Sequence, residues 1–421
     1  MKFFFPDAQD LVDPSFDFTT EDRSVHRDRH RSYQYAHEVF ARAPYDGMLV
    51  SKAIVDGHAG DGGRYSLAQR FSLLRTGVRE FFRLTGRPIR TMGDCGAFSY
   101  VSELVPPVKV EEVIDFYESC RFDIGVSIDH IILAHAPELD HSLPGVDLVP
   151  QEWRDRQAVT LQLAQEFLDR HRRGGLGFEP VGAAQGWSPR SYAHCVEKLQ
   201  EMGYRRIGMG GMVPLKTQEI LECLEGVAAV RSPETQLHLF GISRPEHALA
   251  FGDFGVTSID STSPLRQSFK DDRDNYYTRR RTYTALRVPQ VGENAKLKRR
   301  IVAGEIDQRK AVGCERRCMD VLPRYDRGDA SIDEALVALR DYEKLYDGRK
   351  DRTPTYREVL ADKPWKSCPC EICRRLGIHV MIFRGAERNR RRGFHNLYVT
   401  YERLHEELNR AGPPRSEREA M

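Results

Sequence analysis

The chain has 421 residues, 40% of them hydrophobic and 30% charged, with a formal net charge of +2. This is the composition of a folded globular protein, long enough for one large domain with an added subdomain or for two ordinary domains. The near-neutral balance says little about partners, and no apolar stretch approaches the roughly 20 residues of a membrane helix.

The opening MKFFFPDAQD has a short apolar patch that turns acidic at once, unlike a signal peptide, and KFFFPD reads as a strand. From residue 45 to about 260 two textures alternate. Short apolar or β-branched runs end in Gly or Asp: GMLVSKAIVDG, PIRTMGDCG, FDIGVSIDH, LGFEPVGAAQG, YRRIGMGGM, TQLHLFGIS and GVTSIDSTS. Between them lie stretches of helical period such as KVEEVIDFYESC, QEWRDRQAVTLQLAQEFLDRH, SPRSYAHCVEKLQEMG and PLKTQEILECLEG. In the third, Ser188 is placed as an N-cap with Pro189 at the first helical position. Eight strand–helix units predict a (β/α)8 barrel. No glycine-rich dinucleotide turn follows the first strand, which weakens the rival doubly wound sheet.

After residue 265 the rhythm breaks into charged, helical stretches such as SIDEALVALRDYEKLYDG. A cysteine cluster and the amphipathic helix HNLYVTYERLHEELNRAG follow, with Leu397, Tyr401, Leu404 and Leu408 on one side. The sequence therefore divides into a barrel over 1–265, a helical and cysteine-bearing segment over 266–394, a C-terminal helix over 395–412, and a tail over 413–421. Basic runs gather in the second half, as TRRRTY, KLKRR and RNRRRGF. One such run is ordinarily a solvated face; several beside a metal site point to a polyanion.

Chemistry in such a barrel sits at the C-terminal ends of the strands. Asp94, Asp129 and Asp260 end strand candidates there, Gln185 ends a fourth, and Gly210 and Gly211 of GMGGM offer backbone N–H groups without side chains. Capping of the next helix accounts for any one aspartate. It does not account for three acids, an amide and a glycine pair on one rim. Paired carboxylates suit displacement at an anomeric carbon, one attacking C1′ and another shuttling protons. A carboxylate beside an amide and a backbone N–H also matches the edge of a purine.

Three of the 9 cysteines, Cys368, Cys370 and Cys373, make C-x-C-x-x-C, too tight for a disulfide framework and suited to one ion. On spacing alone His379 and His395 are equal candidates for the fourth ligand. Cys314 and Cys318 of CERRC read as a coincidence of one helix face. The remaining cysteines are scattered singly, which suits a reducing cytoplasm.

In order, GDCGAF, SIDH, AAQG, GMGGMVPL, FGISRPE, SIDSTSP and CPCEIC…HNL resemble the hallmarks of the tRNA-guanine transglycosylase superfamily over about residues 88 to 410. The resemblance implies a (β/α)8 barrel with a zinc subdomain near its end. It implies Asp260 as the nucleophile at C1′, Asp94 as general acid/base and base contact, and Asp129, Gln185, Gly210 and Gly211 as readers of a guanine-type base. It implies Zn2+ on Cys368, Cys370, Cys373 and His395. Where bacterial tRNA enzymes carry a glutamate after the glycine pair, GGMVPLK runs on to Pro214 and Lys216, closer to the archaeal type that takes 7-cyano-7-deazaguanine (preQ0). A lysine beside the incoming base suits a nitrile and would repel an ammonium. SIDSTSPLRQSF keeps the aspartate, the proline and Arg266 but loses the cysteine and threonine usual in the tRNA enzymes. With MKFFFPDAQDLVDPSFDF and DNYYTRRR, these departures look most like the DpdA branch, which exchanges guanine in DNA for preQ0. The alternatives are an archaeal-like tRNA enzyme and a non-catalytic nucleic-acid-binding subunit. A homodimer and a helper protein of a DNA-modification system stand as candidate partners.

Overall fold

The computed structural model describes residues 1–26, 29–58, 61–141, 148–270, 273–348 and 350–410. The expected tail over 413–421 lies outside the described residues. Two compact units divide the chain: Met1–Gln9, Tyr45–Thr262 and Leu404–Met421 form the first, Asp10–Pro44 and Ser263–Arg403 the second.

The first unit is the expected barrel. Its strands are β1 (Lys2–Pro6), β2 (Gly47–Ser51), β3 (Arg90–Asp94), β4 (Ile124–Val126), β5 (Glu179–Ala184), β6 (Arg206–Met209), β7 (Gln236–Leu239) and β8 (Val256–Asp260). Each pairs in parallel with its neighbours in sequence, and β1 closes on β8 with Phe4 opposite Asp260. Between strands run α1 (Leu67–Thr76), α2 (Val110–Cys120), α3 (Gln151–Gly174), α4 (Pro189–Met202), α5 (Thr217–Ala228) and α6 (Ala248–Asp253). Ser188 caps α4 as expected, its hydroxyl accepting from the Ser191 N–H at 3.2 Å. One face of α2, with Val113, Ile114, Phe116 and Tyr117, is buried. Phe4, Leu49, Met92, Ile124, Val126, Val181 and Ala183 form one buried cluster. Burial of each large member contributes about 1.5–3 kcal/mol, which makes this end of the barrel a stiff support.

The second unit carries α7 (Gln308–Arg327), α8 (Ile332–Tyr346), α9 (Thr353–Asp362) and α10 (Gly385–Arg410), the last contributing its final residues to the first unit. Helix α10 begins at Gly385, ten residues before the expected start at 395. The added turns hold the basic run RNRRRGF, and the reason they are helical is internal pairing. Arg391 bonds Glu387 at 2.8 Å and the Asp13 carbonyl at 2.7 Å. Arg384 bonds Glu21 at 2.6 Å, and Arg388 pairs with the same carboxylate. Arg388 and Arg391 lie over the Phe18 ring at 5.4 and 5.0 Å. Arg392, fully buried, donates to the Ser268 carbonyl at 2.6 Å. Arg384, Arg388 and Arg391 fasten the segment 13–21, Arg392 ties the helix to Ser268, and these four are not a surface for a polyanion. Cys318 is likewise internal, its thiol 3.2 Å from the Ala338 carbonyl.

Candidate active site and metal centre

The rim predicted from the strand ends exists. Asp94 is the last residue of β3 and Asp260 the last of β8. Asp129 lies three residues past β4, Gln185 follows β5 directly, and Gly210 and Gly211 follow β6. Gln185, wholly buried, donates from Nε2 to Asp129 Oδ2 at 2.5 Å and accepts at Oε1 from the Ile132 N–H at 3.2 Å. A side chain at Gly210 would place Cβ 2.1 Å from Gln185 Nε2. Gly211 adopts φ +73°, and its Cβ would meet the Ile132 carbonyl at 2.5 Å. Backbone conformation and the Ile132 carbonyl demand glycine at 211, and any side chain at 210 would displace Gln185.

One expectation needs correction. The Gly210 N–H is not open to a ligand, because it donates to the Ala184 carbonyl at 2.9 Å as an extension of the barrel ladder. The Gly211 N–H makes no hydrogen bond among the described residues.

Burial first, and then the charges of Asp129 and Asp260, push the Asp94 carboxyl up to about 7, against the Gly96 and Cys95 N–H groups that favour the anion. Burial also pushes Asp129 up to about 6, opposed by its hydrogen bonds from Gln185 and Cys95. The charges of Asp129 and Asp260 both act on Asp94, which makes Asp94 the carboxyl disposed to hold a proton near neutral pH. Asp260, 5% exposed, accepts at Oδ1 from the Gly241 N–H at 3.0 Å and lies 3.0 Å from His238 Nε2. Its Oδ2 makes no hydrogen bond among the described residues.

In the second unit, Cys368, Cys370, Cys373 and His395 could hold a metal ion, their ligand atoms all within 4.8 Å of one another. The three sulfurs lie 3.6, 3.5 and 3.3 Å from His395 Nδ1. Tetrahedral bonds of about 2.3 Å to sulfur and about 2.1 Å to nitrogen require about 3.6 Å, so the donor set fits. His395 Nε2 donates to the Tyr277 carbonyl at 2.7 Å, which leaves the Nδ1 lone pair facing the cysteines. Tyr276 stacks on the imidazole at 4.0 Å. His379, the other candidate, is outside this group and lies 5.8 Å from the Phe18 ring.

No protein-family model matches the sequence. A DNA-guanine transglycosylase from Salmonella montevideo is 52% identical over 408 residues, which is 96% of this chain and 96% of that protein. The chain belongs to the DNA-guanine transglycosylase family. That places it in the tRNA-guanine transglycosylase superfamily that its motifs resemble, and among pentosyltransferases.

In this transglycosylase the sequence reading missed three residues around Asp260 and Asp129. His238 lies inside β7, opposite Ser258 in the β7–β8 register, and its Nδ1 is 2.8 Å from the Ser258 hydroxyl. The signal was a histidine in the middle of the apolar run TQLHLF. Tyr100, buried, donates to the Asp129 carbonyl at 3.1 Å and contacts the Cys95 thiol at 3.0 Å. Lys216 is not beside a base pocket: it precedes α5 with its side chain 86% exposed, 3.9 Å from Glu219. The run TRRRTY is largely neutralised, with Arg281 paired to Glu358 and Asp362 and Arg279 paired to Glu402. No helix among the described residues is long and apolar enough to cross a membrane.

Proposed function

We propose that this chain exchanges guanine in DNA for preQ0 by double displacement through a glycosyl ester of Asp260. The observation that carries it is the placing of Asp94 and Asp260 at strand ends of one barrel, where the charges of Asp260 and Asp129 act on the Asp94 carboxyl, in a chain of the DNA-guanine transglycosylase family. The target nucleotide leaves the stack to enter the barrel mouth. Asp260 Oδ2 attacks C1′ as the bond to guanine breaks, and protonated Asp94 delivers a proton to the departing base. preQ0 then returns its ring proton to Asp94 and attacks C1′, and Asp260 leaves as a carboxylate. Two inversions give net retention, and one glycosidic bond replaces another of similar energy, so no ATP is needed. Asp129, Gln185 and the Gly211 N–H read the base edge, while Gly210 contributes the space its missing side chain leaves. Residues 212 to 215, which follow the glycine pair, carry no acid, so nothing on that stretch is built to hold the ammonium of an aminomethyl base, which supports the nitrile. Cys368, Cys370, Cys373 and His395 would hold zinc with four protein ligands, a set that suits a structural role.

Labelled preQ0 offered with DNA and tRNA side by side tests the reading. Incorporation into DNA, lost in Asp260→Ala, is expected. Incorporation into tRNA alone reverses the choice of nucleic acid, and a covalent DNA complex trapped with Asp260→Ala refutes the nucleophile.

A further inference from the structure

We infer that His238 is the positioning residue for the Asp260 carboxylate and the group that makes it a good leaving group when the second base returns. The inference rests on the reading of Asp260 as nucleophile. His238 is wholly buried, so no water competes for its ring. The Asp260 carboxylate only accepts, so Nε2, 3.0 Å from Oδ1, carries the hydrogen, and in the neutral ring Nδ1 is left to accept from the Ser258 hydroxyl at 2.8 Å. Phe4 and Phe240 meet the imidazole edge to face, at 5.9 and 4.6 Å, and leave the ring one orientation. With the Gly241 N–H, two donors hold Oδ1. The carboxylate cannot turn, and Oδ2 is the oxygen left for C1′.

The same donors act unequally on the two displacements. When Oδ2 bonds to C1′, the electron pair of the old bond leaves with guanine and Oδ1 becomes a weakly accepting ester carbonyl. When the new base bonds to C1′, the C1′–Oδ2 pair returns to Asp260 and negative charge reappears at Oδ1, where His238 waits. Loss of His238 therefore slows breakdown of the ester more than its formation.

The test uses the full chain, a guanine-containing DNA and labelled preQ0, with rapid quenching and denaturing gels. His238→Phe is expected to lower kcat about 100-fold, the usual effect of deleting one preorganised donor. Its KM for the base stays within about threefold, and the covalent fraction at steady state rises. His238→Gln, which restores an N–H donor, recovers most of kcat, and Ser258→Ala falls between. If His238→Phe does not fold, His238→Gln and Ser258→Ala carry the comparison, with melting temperatures recorded beside rates. A covalent fraction that is unchanged or falls, or a folded His238→Gln no better than His238→Phe, overturns the inference. Asp260→Asn separates the two readings. If it retains activity, the nucleophile itself is wrong; if it is inactive and forms no adduct while His238→Phe behaves as wild type, only the role of His238 fails.

Discussion

Gln185 gives its amide N–H to Asp129 at 2.5 Å while its carbonyl receives the backbone N–H of Ile132 at 3.2 Å. One N–H and one carbonyl lone pair of a wholly buried amide are thereby used, and the Asp129 carboxylate is held at one angle. Gly210 stands against that pair without a side chain, and its substitution tests how much the arrangement matters. Gly210→Ala places a methyl 2.1 Å from Gln185 Nε2 and 3.4 Å from Asp129 Oδ2. Gln185 must swing away, so kcat/KM for base exchange is expected to fall at least about 100-fold, as for the loss of one preorganised polar contact. Steady-state kinetics with a circular-dichroism control on folding checks it.

The Asp94 carboxyl, raised from 3.8 to about 7, couples pH to both rate and stability. Release of guanine needs the protonated acid and is expected to slow as pH rises through about 7. The folded state holds this proton more tightly than the unfolded chain. Its contribution to stability is therefore fully present below about 4 and is lost as pH rises through about 7. Asp94→Asn removes that loss. The variant should have a higher melting temperature than wild type at about pH 8, with the gap closing toward about pH 4, while its exchange rate is low throughout. Thermal melts and initial rates across pH decide it.

Glu21 is held down to about 2: burial opposes its charge, but Arg384 and Arg388 together outweigh that cost. Arg384 keeps Glu315 at 2.6 Å if Glu21 is removed, whereas Arg388, 1% exposed, keeps no carboxylate partner. Glu21→Ala is expected to cost about 3–5 kcal/mol, the usual penalty for stranding a buried charge. Combining Glu21→Met with Arg388→Met should cost less than Glu21→Met alone, because the stranded cation is gone. Denaturant titrations of the two variants measure the difference.

Metal content is expected at one zinc per chain by elemental analysis. Cys373→Ala or a strong chelator should remove it and lower the melting temperature, because binding free energy at such a site is folding free energy. Cys314→Ala should leave metal content unchanged, since Cys314 is outside the ligand group.

The barrel was legible because parallel strands covered on both faces are short apolar runs, and those of β3 and β8 end in the aspartates of the proposed catalytic rim. His238 was not legible, since a polar residue within an apolar strand gains meaning only when register places it opposite Ser258. The arginines of α10 misled for the opposite reason. A basic run looks alike whether its partners are phosphates or carboxylates, and Glu21 is 363 positions from Arg384. Residues 10–44 gave no sign of clustering with 263–403, because that association depends on pairs such as the Asp13 N–H with Glu387, at 3.1 Å. Lys216 stands the expected distance along the chain from Gly211, but the start of α5 carries it to the surface.

Both compact units are closed by segments far apart in the chain: β1 waits for β8, and the stretch around Asp13 to Glu21 waits for Arg384, Glu387 and Arg388. During synthesis neither unit can finish until most of the message has been translated, so the early barrel strands must persist with unpaired edges meanwhile. A chain that stops before Arg384 keeps all eight barrel strands but has lost the arginines and the Glu387 carboxylate that grip Asp13 to Glu21, so its second unit is left open.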